Sequence, residues 1–302
     1  MPELPDVLLY IETLKPRIAD QTLEGVRLAS PFLLRSVKPP ISSIHGRKVR
    51  GLRRLGKQIV LEFDGDFFLI IHLMIAGRFQ WKDRGARIPA RLGLAAFDFP
   101  SGTLLLTEAG SKKRASLYLV QGESALASFD RGALEVLDSS LEDFSETLKR
   151  ENHTVKRALT DPRLFSGIGN AYSDEILHRA RLSPLKLTSK LNAAEIARLH
   201  TATKSVLTEW IDRLRSEAGS EFPSKVTAFR PGMAVHGRYG ELCPTCGSPV
   251  QRIVYAANEC NYCATCQTEG RLLADRAMSR LLKEDWPRSL YEWDFQILRS
   301  LS

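Results

Sequence analysis

The sequence predicts an α+β multidomain protein with an N-terminal helix, an antiparallel β domain, a helical domain and a cysteine-rich metal module. Apolar residues recur at helical spacing over residues 3–18, and short strand-like segments separated by turn residues fill about 22–125. Helical spacing returns over 132–218, and all five cysteines lie between 243 and 266. Several short strands without helices between them indicate an antiparallel sandwich or barrel.

The composition is typical of a globular protein with a polyanionic partner. With 302 residues, of which 43% are hydrophobic, the chain can bury the cores of two domains. It has no apolar run of about 18 residues, and its acidic N-terminus does not resemble a signal peptide. We therefore expect no membrane association and a cytoplasmic location, nucleoid-associated if the protein is bacterial. The net charge of +8 favours binding to a polyanion.

Basic residues cluster in two stretches of the chain. The first lies within 47–57 and the second is Lys112, Lys113 and Arg114. Charge runs are usually solvated surfaces, so nucleic-acid binding and simple solvation both remain open for the first cluster.

Local patterns predict the individual elements of the first half. The N-terminal helix should kink or end at Pro16, because proline lacks the N–H that an interior helix position needs. Two hairpins are predicted, with strands 58–63 and 67–71 around Asp64-Gly65-Asp66, and strands 95–99 and 103–107 around Pro100-Ser101-Gly102. A further strand is predicted over 116–120.

The second half reads as helices, a long loop and a tail. Helices are predicted near 139–149, 153–160, 170–181 and 192–217. Residues 219–237 are rich in glycine and proline and predict an irregular loop, which at this length is functional or disordered. The tail over 270–302 is predicted to be partly helical.

Two residues at the N-terminus carry a chemical signal. Removal of Met1 would expose Pro2 as a free secondary amine with the Glu3 carboxylate directly behind it. This pairs a nucleophile with an acid/base group at a fixed covalent spacing. The alternative is that Pro2 and Pro5 only rigidify the start of a helix.

The cysteines form two CxxC pairs, Cys243/Cys246 and Cys263/Cys266, separated by a segment long enough for a hairpin. Four thiolates complete a tetrahedral zinc site and leave no open position, so the predicted Zn²⁺ is structural. Cys260 makes a competing CxxC with Cys263, and we prefer the 263/266 register because the two pairs then match in form. The ribbon either only stabilises its subdomain or also contacts DNA through its hairpin.

A possible phosphate-binding turn precedes the helix predicted at 170. The segment Gly167-Ile168-Gly169-Asn170 lies downstream of Lys156, and two glycines permit positive φ and close approach of a partner. The N–H groups at the start of the next helix then favour an anion. Asn170 has the simpler alternative of capping that helix.

Taken in order, these motifs resemble the formamidopyrimidine-DNA glycosylase and endonuclease VIII family, over residues 2 to about 267. The resemblance implies an N-terminal helix and antiparallel β-sandwich, a helix–two-turn–helix domain and a C-terminal zinc ribbon. It implies a catalytic domain over 1–130, a DNA-binding domain over 131–237 that includes a lesion-contact loop, a zinc ribbon over 238–268, and an extension over 269–302.

The same resemblance assigns roles to individual residues. Pro2 would attack the deoxyribose anomeric carbon, Glu3 would act as acid and base, and Lys57 would hold a phosphate near the lesion. Lys156 and Asn170 would grip the DNA backbone, and one structural Zn²⁺ would be held by Cys243, Cys246, Cys263 and Cys266. No catalytic metal or organic cofactor is expected. The implied partner is double-stranded DNA with a damaged base or an abasic site, bound by a monomer.

Departures from the family pattern concern the DNA-contact loops. The stretch His72-Leu73-Met74-Ile75-Ala76-Gly77 places Ile75, or Met74 after a small shift, at the position that enters the DNA stack. Residues 109–114 replace an arginine- and phenylalanine-containing loop of the family and keep Lys112 and Arg114 for DNA contact. Asp6 stands where glutamate is usual, and Asn258 where the zinc hairpin usually has arginine. Asn258 and Arg238 are retained as expected DNA contacts.

Three points stay open at this level. In the loop 219–237, we expect Phe222, Phe229 and Arg230 to stack on or hydrogen-bond a flipped base, against the alternative of a mobile lid. The tail containing Trp286, Trp293 and Phe295 is expected to pack on the body, with a protein partner as the alternative.

A non-catalytic binder of damaged DNA or other nucleic acid on the same fold is the rival function. A metal-dependent nuclease is disfavoured because the six histidines are scattered and no carboxylate–histidine cluster is evident.

Overall fold

The computed structural model describes residues 1–110, 112–223, 226–255, 258–273, 281, 288–290 and 292. The chain divides into two compact units, the first formed by residues 1–133 and 208–228 and the second by 134–207 and 229–302. Within the described residues, no helix is long and apolar enough to cross a membrane.

The first unit contains a long N-terminal helix and two antiparallel sheets. Its elements are α1 (Leu4–Ile18), β1 (Gly25–Leu28), β2 (Val49–Leu55), β3 (Gln58–Phe63), β4 (Phe67–His72), β5 (Gly77–Lys82), β6 (Gly93–Phe99), β7 (Gly102–Glu108), β8 (Ser116–Gln121) and α2 (Glu123–Ala127). The strand orders are β1-β6-β7-β5 and β2-β3-β4-β8, with every neighbouring pair antiparallel. The predicted antiparallel sandwich is confirmed.

The core of this unit joins α1 to both sheets. Val7, Tyr10 and Leu14 lie on one face of α1 and pack in the same buried cluster as residues of β3, β4, β6 and β7. The apolar run in β4 is continuous because both faces of this strand are covered. Leu69 enters the main core, whereas Phe68 packs in a second cluster with Leu126 of α2. Burial on two faces removes the alternation that a half-exposed strand shows.

The two predicted hairpins are present, with a different turn in the second. β6 and β7 pair Phe99 with Gly102, so Gly102 is the first residue of β7 and only Pro100 and Ser101 form the turn. A Cβ atom on Gly102 would lie 2.6 Å from the Trp81 ring, so the close approach of this ring requires glycine. α1 extends past Pro16 to Ile18, so the helix does not end at this proline.

The second unit contains helices and one β-hairpin. Its elements are α3 (Leu141–Lys149), α4 (Val155–Thr160), α5 (Asn170–Arg179), α6 (Ala193–Ala218, of which residues 208–218 belong to the first unit), β9 (Val250–Tyr255), β10 (Asn258–Cys263) and α7 (Ala264–Thr268). The described residues of the segment 219–237 contain neither helix nor strand, as predicted. α3 begins with a capping box between Ser140 and Asp143, which satisfies orphan N–H groups of the first turn.

Part of the predicted tail helix can be compared with the structure. Leu272 and Leu273 are buried in a cluster with Tyr262, whose hydroxyl accepts a hydrogen bond from the Leu273 N–H at 2.8 Å. Most of the remaining tail, including Trp286, Trp293 and Phe295, lies outside the described residues.

Candidate active site and nucleic-acid interface

The N-terminus is held in place by the start of α1. Pro2 is buried and Glu3 is 2% exposed. Glu3 is the N-cap residue, and its N–H donates to the Asp6 carboxylate at 2.9 Å in a capping box between the two residues. The short Asp6 side chain therefore fixes the backbone of Glu3 by accepting its N–H. The two acidic residues at positions 3 and 6 thus stabilise the start of α1, a role that the sequence analysis did not identify.

The charged groups around the N-terminal amine come from three elements of the first unit. Met1 carries the free amine in this chain, and burial lowers its pKa. The Glu3 carboxylate opposes that shift, whereas Arg78 in β5 and Lys57 in the β2–β3 turn lower the pKa of the amine further. The expected catalytic residues Glu3 and Lys57 therefore share one electrostatic environment with the chain terminus.

Lys57 is itself a perturbed cation. Burial lowers the pKa of its amine, and the nearby Glu3 carboxylate acts in the opposite direction. Lys57 lies in a two-residue turn, since β2 and β3 pair Leu55 with Gln58 and leave Gly56 and Lys57 between them. Gly56 has φ +61°, which favours glycine at this turn.

His72 is a site residue that sequence reasoning treated as one of several scattered histidines. It ends β4 opposite Gln58, the residue after Lys57. Burial, Lys57 and Arg131 together lower the pKa of His72 to about 4, so its imidazole is neutral at pH 7. The strand register, rather than sequence proximity, brings His72 to Lys57.

The turn that was predicted to enter the DNA stack is exposed and braced. Met74 has φ +53°, and Ile75 is 55% exposed. The Arg78 guanidinium donates to the carbonyls of Ile75 at 3.2 Å and Gly77 at 2.6 Å, and also to the Val226 carbonyl. The geometry favours Ile75 over the half-buried Met74 as the protruding side chain.

A buried carboxylate organises the basic loop that follows β7. Glu108 is 1% exposed and accepts hydrogen bonds from the backbone N–H groups of Arg114 at 2.9 Å and Ala115 at 3.1 Å. Lys112 and Arg114 are exposed. A Cβ atom on Gly110 would lie 3.7 Å from the Cβ of Ala76, so this loop adjoins the Ile75 turn. The two expected DNA-contact loops therefore lie side by side.

Two arginines of the first basic cluster form ion pairs within their own unit. Arg53 forms ion pairs with Glu62 at 2.6 Å and Glu123 at 2.7 Å, and Arg50 pairs with Asp64. These pairs favour the interpretation of this part of the stretch as a solvated surface.

The glycine-containing turn before α5 differs in detail from its prediction. Gly167 has φ +80°, but Gly169 is extended at φ −129° and is the N-cap residue, so only one glycine needs positive φ. Asn170 is the first residue of α5 and not its cap. Its side chain donates to the Glu259 carbonyl at 2.8 Å. Lys156 is 5% exposed and donates to the Asn170 carbonyl at 2.8 Å, which suits support of the turn from behind.

The three candidates in the loop 219–237 have different surroundings. Phe222 is half-buried against Tyr10, with ring centroids 5.9 Å apart, and under the Arg17 guanidinium at 5.7 Å. Phe229 is 65% exposed and stacks on His236 with centroids 5.5 Å apart. Arg230 is half-buried. Exposure therefore separates Phe229 from Phe222 as a group able to meet a ligand.

The structure brings together the four cysteines of the preferred register. The sulfur atoms of Cys243, Cys246, Cys263 and Cys266 all lie within 4.8 Å of one another, as ligands of one metal ion would. Cys260 is outside this group and is buried with Tyr262 in an apolar cluster, where burial raises the pKa of its thiol. His178 Nε2 lies 3.3 Å from Cys243 Sγ, a contact that the sequence did not predict.

Thiol electrostatics fit a cation at this centre. Burial raises the pKa of Cys263 and raises that of Cys266 to about 11. Burial also opposes ionisation of Cys246, but hydrogen bonds from Ser248 and from neighbouring thiols lower its pKa to about 6. Ionisation of one thiol thus disfavours ionisation of its neighbours, because the negative charges repel one another. A divalent metal ion would offset that repulsion.

Two further expected contacts lie at the ribbon. Arg238 donates to Glu241 at 2.8 Å and to the Met233 carbonyl at 3.0 Å, so it is engaged within its own segment. Asn258 is the first residue of β10, and its side chain lies outside the described residues.

The expectation that no carboxylate and histidine side chains cluster is wrong. Glu151, His153 and Asp161 lie close enough together to hold an ion. The Arg163 guanidinium already contacts Asp161 at 2.6 Å and Glu151 at 3.3 Å. Both carboxylates of this group thus already pair with Arg163, which gives no support to a metal-dependent nuclease.

Comparisons with known proteins agree with the geometry. Residues 1–109 match the model of the formamidopyrimidine-DNA glycosylase N-terminal domain, and residues 134–220 match that of the formamidopyrimidine-DNA glycosylase H2TH domain. The chain is 32% identical over 280 residues to the formamidopyrimidine-DNA glycosylase of Heliobacterium modesticaldum, covering 88% of this chain and 100% of the relative. An uncharacterised formamidopyrimidine-DNA glycosylase-like protein of Mycobacterium tuberculosis is 43% identical over 149 residues, which are 49% of this chain and 92% of that protein.

Solved structures show the same fold. A mutant of the Lactococcus lactis enzyme in complex with DNA containing Fapy-dG superposes with a TM-score of 0.77 at 25% identity and covers 88% of this chain and 100% of its own. A MutM structure in complex with DNA containing carbocyclic 8-oxo-G also gives a TM-score of 0.77 at 25% identity, with the same coverage.

Proposed function

The chain belongs to the formamidopyrimidine-DNA glycosylase family, and we propose that Pro2, Glu3 and Lys57 perform the reactions of this DNA-repair enzyme. The protein is a DNA glycosylase with abasic-site lyase activity. The observation that carries the residue assignment is the burial of Pro2 and Glu3 next to the chain terminus, where Glu3 and Lys57 both influence the Met1 amine.

Pro2 is the proposed nucleophile once Met1 has been removed. An α-amino group has an ordinary pKa of roughly 8, so a substantial fraction is neutral at physiological pH. Burial and the cations Arg78 and Lys57 lower the pKa of the Met1 amine, and Pro2, the next residue, is buried. A lower pKa increases the fraction of amine that can attack the deoxyribose C1′ atom at neutral pH.

Glu3 is the proposed acid and base. Attack on C1′ forms the C–N bond to Pro2 and breaks the bond to the damaged base, which leaves with the bonding electron pair and takes up a proton from water. Glu3 takes the proton that the amine loses and then gives it to the ring oxygen as the C1′–O bond breaks, so the sugar opens and the amine becomes an iminium. The N-cap position and the hydrogen bond to Asp6 hold Glu3 directly behind the amine, which supports this role.

Strand cleavage follows from the same iminium. The iminium withdraws electrons from C2′, so a base can remove a C2′ proton while the 3′-phosphate leaves with its bonding electrons. Water then hydrolyses the iminium and returns Pro2 as a free amine. We assign Lys57 to the phosphate beside the lesion, where its buried cation opposes the charge of the backbone.

The contacts that open the duplex are proposed for the adjoining loops of the first unit. Ile75 is exposed on a turn that Arg78 braces, which suits insertion into the stack. Lys112 and Arg114 supply charge for the DNA backbone from the loop anchored by Glu108. In the second unit, the turn at Asn170 is the proposed phosphate site, with Lys156 supporting it, and Arg238 and Asn258 remain candidates at the ribbon.

The four clustered cysteines are proposed to hold one structural Zn²⁺. Zinc favours four thiolates in a tetrahedral site, and a closed donor set leaves no position for substrate. The reaction itself needs no further metal or organic cofactor in this scheme. We further propose that the protein acts as a monomer on double-stranded DNA in the cytoplasm or nucleoid, with the domain boundaries expected above.

The test is covalent capture. Protein lacking Met1 is incubated with duplex DNA that contains an abasic site, and borohydride is added to reduce the iminium. We expect an adduct that maps to Pro2 and is lost in Pro2→Gly. Glu3→Gln should slow its formation, whereas Glu12→Gln, which alters an exposed acid of the same helix, should not. Absence of an adduct from correctly processed, metal-loaded protein would contradict the mechanism and favour a binding protein on this fold.

A further inference from the structure

A histidine of α5 reaches the cysteine cluster of the second unit. His178 lies in the last turn of α5 and is 7% exposed, and Cys243 is 2% exposed. The Nε2 atom of His178 lies 3.3 Å from the Sγ atom of Cys243, within reach of a hydrogen bond between a ring nitrogen and sulfur. Both residues are shielded from water, so solvent competes poorly for either atom and the contact is strengthened by its surroundings.

The chemistry of a metal-bound cysteine decides which atom donates in this contact. Thiolate is the form of cysteine that binds a metal, and it has no proton to give. The Cys243 sulfur can therefore only accept, and the hydrogen must lie on Nε2 of His178. In a neutral imidazole one ring nitrogen donates and the other accepts, so the contact selects the tautomer with its proton on Nε2.

A second cysteine of the cluster is held from the same side. The Gln267 side chain accepts a hydrogen bond from the Cys263 N–H at 2.9 Å and donates to the carbonyl of Leu182, shortly after α5, at 2.9 Å. Cys243 and Cys263 are the buried members of the cluster, whereas Cys246 is exposed. The cluster therefore has one side that is supported by the helical part of this unit and one side that meets solvent.

We propose that His178 is a positioning residue of the metal centre, which donates its Nε2–H to the Cys243 sulfur and so retains this ligand on the metal. The proposal rests on the structural Zn²⁺ proposed above for the four cysteines. A hydrogen bond to a ligand atom fixes its orientation, and loss of such a partner lowers metal affinity about tenfold to hundredfold. Because the acceptor is charged, the bond is stronger than one between neutral groups.

The same hydrogen bond connects the metal centre to the helix that carries the proposed phosphate site. α5 begins at Asn170, whose side chain donates to the Glu259 carbonyl of β10 at 2.8 Å. About two turns further along, the helix contacts Cys243 through His178. The ribbon is thus attached to α5 near both of its ends. Loss of the His178 donor should weaken metal binding while the four cysteines and the Asn170 contact stay in place.

The test measures the zinc affinity of the full-length protein by competition with a chromophoric chelator. His178→Phe keeps a ring of similar size but removes the donor, and we expect the affinity to fall about tenfold or more. His178→Gln places an amide N–H close to the position of Nε2 and should restore most of the lost affinity. A residue that only fills space would not be rescued by glutamine. Equal affinities in the wild type and His178→Phe would overturn the proposal.

A matched control uses another histidine of the second unit. His200 is half-buried, and its Nε2 atom lies 3.2 Å from the carbonyl oxygen of Ser139 and not from a cysteine. His200→Phe should therefore leave zinc affinity at the wild-type value. A wild type that binds no zinc in this assay would refute the metal centre and the proposal with it. Tight zinc binding that His178→Phe leaves unchanged would refute only the role of His178.

A measurement on the wild type applies even if His178→Phe does not fold. In cadmium-loaded protein, NMR of the imidazole nitrogens reports which ring atom of His178 carries the proton. We expect the proton on Nε2, with a scalar coupling to the cadmium ion across the hydrogen bond to Cys243. A proton on Nδ1 alone, or the absence of this coupling, would overturn the proposal.

Discussion

Lys156 donates a hydrogen bond of 2.5 Å to Asp174, and the two side chains are 7% and 0% exposed. Lys156 is therefore a buried member of an ion pair and not an exposed cation that is available to bind a phosphate. Removing one partner of such a pair leaves an uncompensated charge, whereas the pair itself contributes mainly to the arrangement of what surrounds it. Lys156 is therefore better placed to set the position of Asn170 than to touch DNA.

This interpretation predicts how binding depends on salt. Each phosphate that a cation neutralises adds about one unit to the slope of log affinity against log salt concentration. Lys112→Met should lower that slope by about one, because Lys112 is exposed on the basic loop. Lys156→Met should weaken binding without changing the slope. A loss of about one unit in Lys156→Met would instead mean that its amine contacts phosphate directly.

The sequence predicts features that depend on neighbouring residues better than features that depend on contacts between distant parts of the chain. The hairpins and the helices follow from local periodicity, and the choice of Cys263 and Cys266 follows from the matching form of the two CxxC pairs. The contact between Asp174 and His236 could not be predicted, because residues 62 apart meet only through tertiary packing. Glu151, His153 and Asp161 are close in sequence, and they meet because the chain turns before α4 and Asp161 lies at the end of this helix.

The candidate site likewise contains residues that motifs predict and residues that only the fold brings together. Pro2, Glu3 and Lys57 were expected from motifs, but His72 enters only through the register that pairs β4 with β3. Phe222 and Phe229 were equivalent as sequence, since both are aromatic residues in a flexible-looking segment. Burial against Tyr10 separates them, and no local pattern encodes that contact.

The metal centre predicts an asymmetry between cysteines. Cys243→Ser should abolish binding of one equivalent of zinc, because it removes one of four clustered ligands. Cys260→Ser should keep the zinc, since this thiol lies apart from the cluster. Metal content by elemental analysis after gel filtration checks both variants. Full zinc content in Cys243→Ser, or none in Cys260→Ser, would contradict the assignment.

The amine at the chain terminus predicts a pH dependence that can be measured before Met1 is removed. Burial and nearby cations place the pKa of the Met1 amine below its ordinary value of about 8. Glu3→Gln removes a carboxylate that raises this pKa and should lower it further, whereas Lys57→Met removes a cation and should raise it. The rate of N-terminal acylation against pH, read by mass spectrometry, gives the midpoint. Shifts of the opposite sign would show that these groups do not face the amine.

His72 predicts a loss of stability in mild acid. Its pKa in the folded protein is lowered to about 4, while an unfolded histidine titrates near 6.5. Between these two values the unfolded chain binds a proton that the folded protein does not, so the free energy of unfolding falls as pH drops from about 6.5 to 4. The shift is equivalent to roughly 3 kcal/mol at the acid end of this window. Above pH 6.5 the effect is absent.

Urea unfolding at pH 7 and pH 4.5 tests this expectation by comparing the wild type with His72→Asn. The wild type should lose about 2 kcal/mol more than the variant between the two pH values, because the variant has no group to protonate there. Lys57→Met provides a second check, since removal of a neighbouring cation should raise the pKa of His72 and reduce the acid sensitivity. Equal losses in wild type and His72→Asn would show that the imidazole is solvated, and a histidine NMR titration near pH 6.5 would then be expected.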